Sequence, residues 1–187
     1  MTLIEIAAVL LGIANIVLII RRSVWNYPFA LAMVTLYFFI FRDLKLYSDA
    51  GLQIFFFAVN IYGWWSWNRN RANAGEVVVE RLGKVGLYAW LCGSAMAIAL
   101  WGTFMSRMTD ATLPYWDASV AMFSVAGQIL MTRRYLENWW WWIAVNLVSI
   151  PLYIAKGIYL TAGLYVIFLA LAIAGLVEWQ RARKATA

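Results

Sequence analysis

Apolar residues in this chain come in long blocks, not at the three-four or alternating spacing of a half-buried soluble element. Seven blocks reach or approach the ~20 mostly apolar residues that a helix needs to cross a bilayer. They run Leu3–Ile20, Tyr27–Phe41, Ala50–Trp67, Val85–Met105, Ala118–Thr132, Trp139–Ala155 and Leu160–Glu178. The second and fifth are short, so aromatic or polar flanks must complete them. None holds an internal Asp, Glu, Lys or Arg, and Glu5 and Glu178 sit at ends where they reach water. The pattern predicts an all-α integral membrane protein of seven transmembrane helices. The polar stretch Asn68–Gly86 is predicted to be its one exposed linker. The first block has no basic leader and no small-residue cleavage site, and Arg21-Arg22 follow it, so it is expected to stay as a helix rather than be removed as a signal peptide.

Composition agrees with the blocks. The chain is 65% hydrophobic and 13% charged, against about 25% charged in soluble domains. Folded in water, it would expose apolar patches far beyond the few hundred Å² that soluble monomers tolerate. With no His and a single Cys, Cys92, most metal centres and any disulfide framework are excluded. No phosphate-cradling GxxxxGK[ST] loop is present, so no cofactor is expected. Charge then sets orientation. Eleven of the fifteen basic residues, Arg21, Arg22, Arg69, Arg71, Arg81, Lys84, Arg133, Arg134, Arg181, Arg183 and Lys184, fall after blocks one, three and five or in the C-terminal tail. The other side holds Arg42, Lys45, Arg107 and Lys156, offset by Asp43, Asp49, Asp110 and Asp117. Basic residues favour the cytoplasmic face, which places the N-terminus outside and the C-terminus in the cytoplasm. The net charge of +6 is then a membrane-rim bias, and no nucleic-acid partner is expected.

Displacing the sequence by 112 residues aligns it with itself without a gap. Arg21-Arg22 fall on Arg133-Arg134, Asn26 on Asn138, and Tyr47–Arg69 on Tyr159–Arg181, where ten of 23 positions are identical. Residues 1–69 and 113–187 therefore form two three-helix repeats. Both begin outside, so they are parallel, and residues 70–112 supply the cytoplasmic loop and an inverting fourth helix. In repeat-built transporters the solute site lies near the midplane where the repeats meet.

Polar side chains inside spans are costly unless paired or facing a cavity. Gln53 and Asn60, seven apart, share one face of span three, with Phe56, Tyr62, Trp64 and Trp67 around them. Span six places Trp139, Trp142, Asn146, Ser149 and Tyr153 on one stripe, span five adds Ser124 and Gln128, and span one adds Asn15. Asn60, Asn146 and Gln53 fall on Ala172, Val34 and Tyr165 in the other repeat. An amide kept in one copy only suits an asymmetric ligand, whereas interhelical bonding is the plainer alternative. Amides read carbonyl, amide and hydroxyl groups, and aromatic faces stack on planar or cationic rings. No buried Arg or Lys is present to hold a phosphate. These residues predict an uncharged or cationic solute carrying a flat heterocycle and hydroxyls: a nucleoside or vitamin, not a nucleotide. Without Asp, Glu or His in the spans, facilitated diffusion is the simplest mode, with sodium coupling left open. A lipid-modifying membrane enzyme lacks its carboxylates or metal ligands here. A membrane scaffold would leave the amides paired with no cavity beside them.

The run Phe55-Phe56-Phe57-Ala58-Val59-Asn60-Ile61-Tyr62-Gly63-Trp64-Trp65-Ser66-Trp67, with Leu52-Gln53 before it, resembles the third core helix of the PnuC family of nicotinamide riboside transporters. Tyr115-Trp116-Asp117, the run Ile129–Trp139 followed by Trp142, Asn146 and Ser149, then Gly157-Ile158-Tyr159, Gly175 and Trp179 extend the resemblance over nearly the whole chain. It implies a seven-helix core in 3+1+3 order, similar to the SWEET sugar transporters, in a homotrimer set among the lipids of the bacterial inner membrane. It also implies facilitated uptake of a small-molecule vitamin that a cytoplasmic kinase then traps. Gln53, Asn60, Trp142 and Asn146 are the implied pocket, with Trp116 a candidate outer gate; Trp64, Gln128 and Tyr153 complete the candidate substrate-binding set. The family also includes presumed thiamin and riboflavin carriers. The chain departs from some relatives at Ala172-Ile173-Ala174, where they place an amide, and carries Pro151 inside span six.

Overall fold

A computed structural model describes residues 3–43, 47–109 and 112–185, with residues 47–49 described for backbone only. Lys45 and Asp110, used above for orientation, lie outside the described residues, as does the Asp49 side chain. Seven helices make up the described chain: α1 Leu3–Ile20, α2 Asn26–Asp43, α3 Tyr47–Ala74, α4 Lys84–Met108, α5 Pro114–Thr132, α6 Asn138–Ala155 and α7 Tyr159–Ala185. Among them α1, α4 and α7 are long and apolar enough to cross a membrane by length and composition alone. Helices α3 and α6 are the richest in Trp and Tyr, the composition of interfacial belts.

The linker is shorter than predicted, and it is not fully exposed. Helix α3 runs past Trp67 to Ala74; Arg69, Arg71, Ala72 and Ala74 are good helix formers and carry it through three Asn. Arg71 in its last turn also suits the negative end of the helix dipole. Gly75, at φ +78°, ends the helix, its N–H donating to Arg71 O at 2.8 Å. Of the remaining connection, Val77 and Val79 are buried while Val78 is not, the alternation of an extended strand. Predicted as solvated, the segment packs two valines into the protein.

The 112-residue offset recurs bond for bond at two helix–helix turns. After α1, Arg22 N–H donates to Ile19 O (2.9 Å) and Ser23 N–H to Leu18 O (2.9 Å). After α5, Arg134 N–H donates to Met131 O (2.9 Å) and Tyr135 N–H to Leu130 O (3.1 Å). Both are Schellman caps, and both put arginine where glycine is usual, at φ 55° and 64°. In each turn an asparagine then folds back, Asn26 Nδ2 to Ser23 O and Asn138 Nδ2 to Tyr135 O, both at 2.7 Å.

Helices α1–α3 pack in sequence, as do α5–α7. The two triplets meet through α3 against α5 and α1 against α7, while α4 lies along α5 and also takes a hydrogen bond from Trp141 of α6. At the arginine-bearing end the seam is aromatic. Trp67 and Trp179, both fully buried, lie 5.9 Å apart by ring centroid. Trp67 Nε1 donates to Met131 O (3.2 Å) and Trp179 Nε1 to Ile19 O (3.0 Å), so each reaches across to the last turn of the other triplet's first helix. Tyr27 meets Trp67 edge-on at 5.4 Å, as Trp139 meets Trp179 at 5.6 Å. Glycines make room for both rings. A Cβ at Gly63 would stand 2.6 Å from Tyr27 and Thr132, and one at Gly175 would run into Trp139. Gly63→Ala and Gly175→Ala are each expected to destabilise by about 1–3 kcal/mol through overpacking. The unfolding temperature in detergent should fall for both. It should not fall for Gly51→Ala, where a Cβ meets nothing within 4 Å.

Candidate functional site

Away from the aromatic seal, the interior between the triplets is lined with amides, hydroxyls and indoles. Asn60 on α3 is 2% exposed, and Gln128 on α5 is 7% exposed. Gln128 Nε2 donates to Asn60 Oδ1 at 2.9 Å, and Asn60 Nδ2 donates to Phe56 O one turn back at 2.9 Å. Two sequence candidates thus form a hydrogen-bonded pair that bridges the triplets. The neighbouring Gly127 lets the Trp142 indole lie close, at 3.3 Å from where a Cβ would stand. Asn146, 4% exposed, donates Nδ2 to Trp142 O at 2.7 Å. Trp142 thus packs on α5 at Gly127, the residue before Gln128, while the Asn146 amide bonds one turn back on its own helix.

Among the described residues, the buried Asn15 Oδ1 on α1 has no hydrogen-bond partner. It costs about 1–3 kcal/mol if it stays unmet. A polar solute can satisfy such an atom. Toward the opposite end, Tyr153 stacks on Tyr165 at 5.2 Å, with Ser149 and Tyr37 beside Tyr165. Tyr37 and Tyr165 were not among the sequence candidates. The signal for both was the repeat, since Tyr37 is the mate of Ser149 and Tyr165 the mate of Gln53.

The remaining candidates lie at the edges. Gln53 is half-buried two turns from Asn60. Trp116 is 36% exposed at the start of α5, its Nε1 donating to Val148 O of α6 at 2.9 Å. Close to it Lys156 pairs with Asp117 at 2.6 Å. Trp64 is 37% exposed, so its ring is not gathered with the amides. Within Trp139–Trp142, Trp139 and Trp141 are buried, and Trp141 donates to Ser94 Oγ of α4 at 3.0 Å, whereas Trp140 is half exposed. Two clefts open elsewhere. One of about 370 Å³ lies between α3 and α5 and ends at Arg133, and one of about 300 Å³ is ringed by Arg21, Arg22, Arg71 and Glu76; neither contains the amides. Among the described residues no group of His, Cys, Asp and Glu is placed to hold a metal ion.

A helical chain with apolar spans, two repeated triplets and a buried polar seam between them has the build of a multi-pass membrane transporter. Comparison with known proteins gives the same class. The family model described as "Nicotinamide mononucleotide transporter" matches residues 2–181, and the chain belongs to that family. It is 30% identical to the nicotinamide riboside transporter PnuC of Escherichia coli, over 94% of this chain and 84% of the relative. It is also 30% identical to the riboflavin/roseoflavin transporter RibM of Streptomyces davaonensis, over 91% of this chain and 81% of the relative. A crystal structure of the vitamin B3 transporter PnuC superposes with a TM-score of 0.78 at 25% identity, covering 97% of this chain and 82% of that one.

Proposed function

We propose that this protein carries nicotinamide riboside across the bacterial inner membrane by facilitated diffusion, with the N-terminus outside and the C-terminus in the cytoplasm. The observation that carries the reading is the family match over residues 2–181; it is supported by the Asn60–Gln128 amide pair, buried between the triplets, whose mutual bond a solute's own amide and hydroxyls would replace. Amides suit a carboxamide and ribose hydroxyls, and indole faces suit a pyridinium ring. A phosphate would need a cation, and the pair supplies none. The riboside therefore fits better than the mononucleotide of the family's description. Gln53, Asn60, Gln128, Trp142, Asn146 and Tyr153 are the proposed contacts, with Trp116 gating the outer mouth. Trp64, exposed on α3, is left outside this set. The triplets act as the two halves of a 3+1+3 parallel-repeat carrier similar to the SWEET transporters, rocking about the site by alternating access. A cytoplasmic kinase traps the product, and three copies assemble as a trimer.

The likeness to RibM favours a second reading, transport of another B vitamin such as riboflavin or thiamin. Uptake into proteoliposomes by labelled nicotinamide riboside, thiamin and riboflavin separates these. Saturable riboside uptake that stops at equal concentrations inside and out, without an ion gradient, is the expected result. Preference for either other vitamin selects the second reading, and accumulation that requires sodium or protons overturns facilitated diffusion.

A further inference from the structure

Residues 76–82 cross the arginine-bearing end from one triplet to the other, and they are pinned at both ends. Near α3, Arg22 of the α1–α2 turn donates Nη1 to Val77 O (3.2 Å) and pairs with Glu76 (3.2 Å). Beyond it, Val77 and Val79 are buried against the core of Trp67, Trp179, Tyr27 and Trp139. The far end is held by the second triplet. Glu80 N–H donates to Arg134 O and Leu136 N–H to Glu80 O, both at 2.9 Å. Arg134 Nη2 pairs with Glu80 (2.5 Å), and Glu137 accepts from Leu82 N–H (3.0 Å) and pairs with Arg81 (3.4 Å).

The two pins are repeat mates with unequal holds. Arg22 and Arg134 both adopt a left-handed backbone, a conformation that costs a non-glycine residue about 1–2 kcal/mol. Glycine would avoid that cost, so the arginine side chains must return something that glycine cannot. The Arg134 side chain holds Glu80 and Ser66 Oγ (2.9 Å), and backbone pairing and the buried Glu137 grip the segment beside it, whereas Arg22 holds one carbonyl and a half-exposed glutamate. The segment also joins the first triplet through Gly75, at φ +78°, so Arg22 does not tether it but holds it down on the aromatic core. Of the two pins Arg22 is the weaker, and once it lets go residues 76–79 can swing about Gly75 and give the triplets length to part.

We propose that segment 76–82 is a bolt across the cytoplasmic end of the carrier, fixed to the second triplet and latched to the first by Arg22, and that release of Arg22 permits inward opening. This rests on the alternating-access reading above. The test uses the full chain with Cys92→Ala. In the first arm Arg22→Cys and Glu76→Cys are joined by oxidation, with closure verified by mass. Riboside uptake into proteoliposomes should fall at least about tenfold and return on reduction, and unchanged uptake with the disulfide closed overturns the bolt. The second arm needs no solute. Thr132→Cys, placed in the seal, is labelled from the cytoplasmic side by a membrane-impermeant maleimide. Adding Arg22→Gly, which keeps the turn geometry but removes the pin, should raise the labelling rate about tenfold, the scale of a lost charge-assisted bond. Equal rates overturn the bolt. Faster labelling in a protein that takes up no riboside would keep the bolt and count against the proposed solute instead.

Discussion

Asn60→Ala is expected to cut solute uptake by about 10- to 100-fold while leaving a folded protein. The substitution removes the acceptor for Gln128 Nε2 at 2.9 Å and leaves that amide buried without its partner, a loss of about 1–3 kcal/mol. Asn60 Nδ2 bonds only its own helix at Phe56 O, so α3 itself is little affected. Gln128→Ala should produce a loss of similar size. Because the two side chains act as one unit, the double variant should be barely worse than either single variant, with a coupling energy of about 0.5–3 kcal/mol. The measurement is initial uptake rate in proteoliposomes for the four proteins of this cycle. Additive losses would mean that the two amides serve separately.

The largest structural effect is expected at the aromatic seal. Trp179→Ala removes a fully buried indole that touches Trp67 and Trp139 and donates to Ile19 O. A loss of about 3–5 kcal/mol is expected, enough to prevent recovery of a folded monodisperse protein. Trp179→Phe keeps most ring contact and loses only the hydrogen bond. Its repeat mate Trp67 donates in the same way to Met131 O, so Trp67→Phe should lower the unfolding temperature by nearly the same amount. Size-exclusion profiles after graded heating in detergent check both. Widely different shifts for the two phenylalanine variants would show that the repeats do not share the load at this seam.

The helices and the repeat were legible because both rest on long-range regularities. Apolar blocks set the helices, and the 112-residue offset that aligns Trp67 with Trp179 is the same offset at which their hydrogen bonds recur. Asn60, Gln128 and Asn146 were legible because an amide in a span must find a partner or a solute. Aromatic residues were harder to place. Trp64 and Trp142 have the same composition and similar neighbours in sequence, yet Trp142 packs at Gly127 and Trp64 faces outward; a ring suits a pocket and an interfacial belt equally well. The bolt was illegible. Asn68–Gly86 reads as an ordinary exposed polar linker, and only tertiary placement of the Arg22 and Arg134 turns shows what grips it.

The central claim is a charge-free interior of amides and indoles that binds the riboside and rejects its phosphate ester. Equilibrium binding of nicotinamide riboside and nicotinamide mononucleotide to the purified protein, followed by quenching of its tryptophan fluorescence, tests this directly. Saturable quenching by the riboside, with the mononucleotide at least about 100-fold weaker, is the predicted result, because a phosphate desolvated without a cation costs several kcal/mol. Equal or tighter binding of the mononucleotide would contradict it.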